Sequence, residues 1–201
     1  REWMRGAVLE ERLAYWRKQL AGAPGMVELP TDRARPAVQS YQGESLYFSL
    51  SEELSEQVRE LSRREGATVF MTLLAAFQVL LWRYTSESDL VVGTPIAGRG
   101  RRETEELIGF FVNTLALRTE VDGAGDFREA LRRVREVTLG AYARQDLPFE
   151  RLVEEMKPER SLSHAPLFQI MFVMQELLQD ELKLGATPLE RIEVESAEAK
   201  F

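Results

Sequence analysis

The chain contains no cysteine and a single histidine, His164, among its 201 residues. Lacking cysteine, it has no disulfide framework, thiolate metal site or cysteine nucleophile. One histidine cannot furnish a histidine-rich metal centre, and neither HExxH nor a carboxylate cluster with ligand spacing occurs, so no metal site is expected. No Gly-x-Ser-x-Gly elbow surrounds any serine. Gly98 and Gly100 flank Arg99 without the Gly-Lys-Ser/Thr of a phosphate loop. No apolar run approaches the roughly 20 residues of a membrane span, so no membrane role is expected. Basic residues are outnumbered, 26 against 33 acidic, giving a net charge of −7. That balance argues against nucleic acid, whose recognition relies on clustered Lys and Arg. The missing cysteines leave the compartment open; a reducing cytoplasm is compatible and is the expected location.

What is present is a globular composition, 44% hydrophobic and 29% charged, sufficient for one sizeable domain or a large piece of one. The opening Arg-Glu-Trp-Met-Arg-Gly is neither a signal peptide nor a natural start, and reads as the middle of a longer protein. Residues 7 to 21 carry Val8, Leu9, Leu13, Trp16 and Leu20 at helical spacing, stopped by Gly22 and Pro24. A Pro-punctuated connector, Leu29 to Pro36, follows. Gly43 to Leu50 alternates as a strand. Ser51 caps a helix with Glu52 and Glu53 in its first turn and Leu54, Val58 and Leu61 facing inward. Past Gly66, Thr68 caps a second helix that is apolar on nearly every face and therefore central.

Asp89 to Ile96 reads as a short buried strand whose end is broken by Gly93 and Pro95, and the charge-mixed stretch Gly98 to Glu106 as a solvated loop. Ile108 to Arg118 reads as a buried strand with two anomalies, Asn113 and Thr114. Burying such groups unpaired costs about 1–3 kcal/mol each, so they are either satisfied internally or face a cavity. Asp126 with Glu129 forms a capping-box variant for a helix to about Arg144. Leu147 to Glu150 breaks it and starts a short helix through Met156. Pro166 to Met174 reads as a second strong strand, Ile192 to Glu195 as a candidate edge strand, and Ala199 to Phe201 as a strand start. Interleaved helices and strands indicate α/β layers. The catalytic inventory is that of an incomplete enzyme, with no catalytic residue assigned.

Three separated segments, in order, resemble one family. GTPIAGR (Gly93 to Arg99) with IGFFVNTLALR (Ile108 to Arg118) resembles the fifth core motif of condensation domains in nonribosomal peptide synthetases. RQDLPFERLV (Arg144 to Val153) resembles the sixth; Gln145, Asp146, Pro148, Phe149 and Glu150 match, while Arg144 stands where the family has His or Asn. RSLSHAPLFQI (Arg160 to Ile170) is similar to the seventh; Arg160, Ser163, Pro166, Leu167 and Phe168 match, and Ser161, His164 and Ala165 depart. The opening helix looks like the segment after the fourth motif.

The resemblance implies an α/β, chloramphenicol-acetyltransferase-like fold, of which 1–201 would be the C-terminal lobe, with one mixed sheet and covering helices. The C-terminal end is expected to be truncated. The family's HHxxxDG signature lies in an N-terminal lobe and is absent here. The implied function is amide-bond formation between donor and acceptor thioesters on two peptidyl carrier proteins, upstream and downstream. Their phosphopantetheine arms enter a tunnel between the lobes, no cofactor is bound directly, and an adenylation domain is the neighbour. By that resemblance Gly93, Thr94, Pro95, Asn113 and Thr114 line the tunnel or touch pantetheine. Gln145, Asp146, Pro148, Phe149 and Glu150 hold a helix start, and Arg118 and Arg160 are ion-pair partners. The alternatives are a lobe of an epimerisation or cyclisation domain, and a condensation-like domain without catalysis that recruits a partner protein.

Overall fold

The structure is a computed structural model that describes residues 4–99, 102–121, 123, 125–159, 161–175, 183–184 and 187–188. Arg160 and the strand segments expected at Ile192 to Glu195 and Ala199 to Phe201 lie outside the described residues.

Helix formation follows the sequence closely at α2, α3 and α4, where the cap is local chemistry. α1 spans Gly6–Leu20, burying Leu13, Trp16 and Leu20, and Gly22 turns the chain away at φ +67°. α2 (Glu52–Arg64) starts at Ser51, whose hydroxyl accepts from Leu54 N. α3 (Val69–Thr85) starts at Thr68, which accepts from Met71 N. α4 (Phe127–Tyr142) starts at Asp126, which accepts from Glu129 N, and buries Leu131, Val134 and Thr138. α5 covers Phe149–Met156. On α2 the inward stripe is weaker than expected: Leu54 is exposed and Ser62 is the buried residue. Ser62 bonds Thr72 of α3 at 2.7 Å, so a polar contact joins the two helices where an apolar one was expected.

β1 (Asp89–Ile96) pairs antiparallel with β2 (Asn113–Glu120), in a register running from Asp89 opposite Glu120 to Ile96 opposite Asn113. A third segment joins through one parallel bridge, Gly93 with Met171, so the sheet is mixed. Further on, β3 (Lys183–Leu184) and β4 (Thr187–Pro188) form a separate antiparallel pair. α4 packs against α3 and β2, α2 against α3, and α1 against α5. No single described helix is long and apolar enough to cross a membrane.

Three strand expectations are corrected. Residues 43–50 form no strand; Leu46, Tyr47 and Phe48 are 88%, 87% and 81% exposed. Alternation gave them strand character, but no described strand lies beside them to complete a ladder. Strand β2 begins at Asn113, not Ile108; Ile108 and Phe110 stand in solvent. Between 166 and 174 only the bridge at Met171 forms. There a tight turn comes first: Phe168 N donates to Pro166 O at 2.9 Å across Leu167, whose φ is +69°. That γ-type turn swings Phe168 into the core before the chain can extend.

Gln78 of α3 is fully buried, and neither amide atom finds a partner among the described residues. Replacing an unsatisfied buried amide by an apolar group of similar shape is neutral or stabilising. Gln78→Met is therefore expected to keep the fold and raise the melting temperature by a few degrees, read by circular dichroism.

Candidate functional site

The β1–β2 register brings the first set of expected site residues together. Gly93 lies opposite Ala116, Thr94 opposite Leu115, and Pro95 opposite Thr114. Gly93 and Thr94 are buried, and Pro95 and Thr114 partly so. Gly93 joins three segments: its N–H donates to Ile170 O and its carbonyl accepts from Phe172 N, both at 2.9 Å. A Cβ at this position would sit 2.2 Å from the Phe168 ring. Glycine is required here by close approach, not by a turn.

Asn113, at the start of β2, ties the second set to the first. Its Nδ2 donates to the carbonyls of Gln145 and Leu147, each at 2.8 Å. Its Oδ1 accepts from Phe149 N at 3.0 Å. Pro148, the N-cap of α5, offers no side-chain cap, so Asn113, 36 positions before Phe149, supplies the missing acceptor. Three backbone groups at a helix start and its approach are thereby satisfied from the sheet.

The neighbouring motif residues are anchored elsewhere. Asp146 accepts from Arg12 Nε of α1 at 3.0 Å. Phe149 packs on Phe168 with ring centroids 5.5 Å apart. Arg144 lies over Tyr15, 4.5 Å from its centroid, and donates to Gly140 O. Arg118 forms a two-pronged pair with Asp89, Nε to Oδ1 at 2.8 Å and Nη2 to Oδ2 at 2.7 Å. Those hydrogen bonds hold its guanidinium further above its ordinary pKa. Its Nη1 also reaches the carbonyls of Gln19 and Ala21 at the end of α1, as a cation there should. His164 only approaches the neighbouring Ala165 carbonyl through Nδ1.

Asn113 opens onto a cavity of about 660 Å³. Gly98, Thr104, Phe110, Phe111 and Val112 form the wall on its own side; Tyr142, Ala143, Gln145, Asp146, Pro148 and Glu150 form the other. Gly93, Thr94, Pro95 and Thr114 are not in that lining. Tyr142 went unnoticed in the sequence, where it reads as the last apolar residue of a helix. Burial pushes its phenol above the ordinary value, so it stays protonated, and its hydroxyl has no partner among the described residues. The Gln145 side-chain amide and the Glu150 carboxylate are likewise unengaged among those residues. The loop at Gly98 to Glu106 is solvated as expected at Arg102, Glu103, Glu105 and Glu106, while Arg99 turns inward onto backbone carbonyls of its own loop.

The sequence model of the condensation domain matches residues 2–201. The chain belongs to the condensation-domain family. One relative is a linear gramicidin synthase protein of Brevibacillus parabrevis, 57% identical over 177 residues, 88% of this chain and 4% of that protein. Another protein of the same synthase is 54% identical over 203 residues, all of this chain and 3% of that protein. Among solved structures, a holo four-domain nonribosomal peptide synthetase bound to AMP and glycine superimposes with a TM-score of 0.82. It is 35% identical, over 85% of this chain and 13% of that one. The complex of the X-domain and OxyB from teicoplanin biosynthesis also gives 0.82, at 29% identity over 95% of this chain and 41% of that one. The condensation-domain chain thus spans a small part of the synthetases it matches, and its fold is the expected chloramphenicol-acetyltransferase-like α/β type.

Proposed function

We propose that this chain is the C-terminal lobe of a condensation domain that joins carrier-bound donor and acceptor aminoacyl or peptidyl thioesters by amide-bond formation in the cytoplasm. The observation that carries the reading is 54% identity along the whole chain to a linear gramicidin synthase protein, with all three motifs in register. Coverage of 39% of a first condensation domain of known fold supports the assignment to one lobe. The N-terminal lobe of the same domain, two peptidyl carrier proteins and an adenylation domain are the partners this role requires. The HHxxxDG histidines would come from the other lobe, since this chain has one histidine.

The lobe's contribution is positioning. Aminolysis of a thioester gains most from holding two long arms end to end, which makes a bimolecular step nearly intramolecular. The cavity beside Asn113 suits a phosphopantetheine arm up to its phosphate. Phe110, Phe111, Val112 and Pro148 offer apolar walls to its methylenes, while the free Tyr142 hydroxyl and Gln145 amide can pair with its amides. Glu150 and the absence of an unengaged cation in the described lining keep the phosphate outside. Gly93, Thr94, Pro95 and Thr114 shape the sheet floor behind Asn113 and act through it. Arg160 belongs to this reading as an ion-pair partner.

A second reading rests on the X-domain, a structural neighbour solved in complex with OxyB: a condensation-like domain that recruits a partner without catalysis. The test uses the full-length synthetase with both carriers loaded, analysed by intact-protein mass spectrometry. Appearance of the dipeptidyl thioester on the acceptor carrier is expected, and this chain alone is expected to give none. Stable partner capture with no dipeptidyl product would favour recruitment. An epimerised or heterocyclised product would assign the lobe to those relatives.

A further inference from the structure

Arg99 lies one residue past a glycine with no room for a side chain. Gly98 has φ +63°, and a Cβ there would stand 1.9 Å from Phe111 O. The backbone of Gly98 is therefore pressed against the far end of the same loop. Arg99 then reaches across: its Nη1 contacts the carbonyl oxygens of Thr104, Glu105 at 3.2 Å and Leu107 at 2.8 Å. Its guanidinium carbon lies over the Phe111 ring, 4.4 Å from the centroid. Glu103, Glu105 and Glu106 are close in sequence, yet the cation engages backbone instead. A planar guanidinium can donate within its plane and stack across its face at the same time, which an ammonium cannot.

The consequence is a loop folded around one side chain. Residues 102–112 carry Phe110 and Phe111, which form the cavity wall facing Tyr142 and Gln145. Ile108 and Phe110 stand almost wholly in solvent. Resting on the reading of this cavity as the path of a carrier arm, we propose that Arg99 is a positioning residue for condensation: it fixes the wall formed by Phe110 and Phe111 and so sets how tightly a loaded carrier arm is accepted.

The test compares Arg99→Ala, Arg99→Lys and Ala143→Trp with wild type in the full-length synthetase. It follows kcat and the apparent KM for the loaded acceptor carrier, with a melting curve for each variant. Ala143 is an exposed lining residue, so tryptophan there obstructs the cavity without disturbing the core. Arg99→Ala is expected to raise KM about 10-fold while kcat falls far less, the pattern of an arm bound less tightly in ground and transition states alike. Arg99→Lys, which keeps the charge but not the stacked plane, should recover part of the loss, and hydrogen exchange at 102–112 should accelerate in the order Lys, then Ala. If Ala143→Trp raises KM and Arg99→Ala leaves it unchanged, the positioning role is overturned and the cavity reading stands. If Ala143→Trp leaves KM unchanged, the cavity is not the arm's path and both fall. A loss of melting temperature with apparent kcat lowered and KM unchanged would make Arg99 a stability residue only.

Discussion

Asn113→Ala is expected to lower the melting temperature by about 4–12 °C. Leaving two carbonyls and one helix-start N–H without their shared partner costs about 2–3 kcal/mol, and each kcal/mol is worth about 2–4 °C in a chain of this size. The three bonds, to Gln145 O, Leu147 O and Phe149 N, are all 3.0 Å or shorter. Asn113→Asp keeps the acceptor for Phe149 N but turns a second oxygen toward two carbonyls, so it should recover only part of the loss. Hydrogen exchange localises the effect: amides in the first turn of α5 should open first. In the intact synthetase the variant's rate should fall with the order of that turn. An unchanged melting temperature with slowed condensation would instead make Asn113 a group that touches the substrate.

Gly93→Ala is the second large effect. An added methyl would overlap the Phe168 ring, with three ring atoms within 2.6 Å, and the ring cannot swing freely because it is buried and stacked on Phe149. Overpacking of this kind costs about 1–3 kcal/mol, or about 2–12 °C in melting temperature. Adding Phe168→Leu to Gly93→Ala should return part of the loss even though Phe168→Leu alone destabilises. That coupling is the signature of direct contact. Additive losses in the double-mutant cycle would show that the methyl is accommodated by backbone movement instead.

Residues that act locally were legible in the sequence. Ser51, Thr68 and Asp126 announced three helices because a cap bonds an amide three residues on. β1 was legible with both its ends, Asp89 and Ile96, but the break expected at Gly93 and Pro95 does not occur, and both pair in the ladder. Segments whose state depends on a distant partner were misread. Residues 43–50 and 108–112 have strand composition without a strand beside them, and 166–174 is redirected by the turn at Leu167. At the site, sequence singled out Asn113 as an anomaly and left open what answers it. The answer lies 32 to 36 residues downstream, beyond the reach of any spacing rule. Arg99 was hidden by the mixed charges around it, which made a solvated loop the natural reading. Tyr142 was hidden by its aromatic body.

The anchoring of α1 sets an order of events during synthesis. Its C-terminal carbonyls are held by Arg118, 99 residues beyond Gln19. Its Arg12 waits for Asp146, 134 residues later, and its Arg17 for Glu155, 138 residues later. At about 5–20 residues per second, α1 leaves the ribosome on the order of ten seconds before these partners exist. During that interval Leu13, Trp16 and Leu20 have no core to enter. The nascent chain therefore carries a helix whose apolar side chains have not yet met their core, a natural hold point for a chaperone.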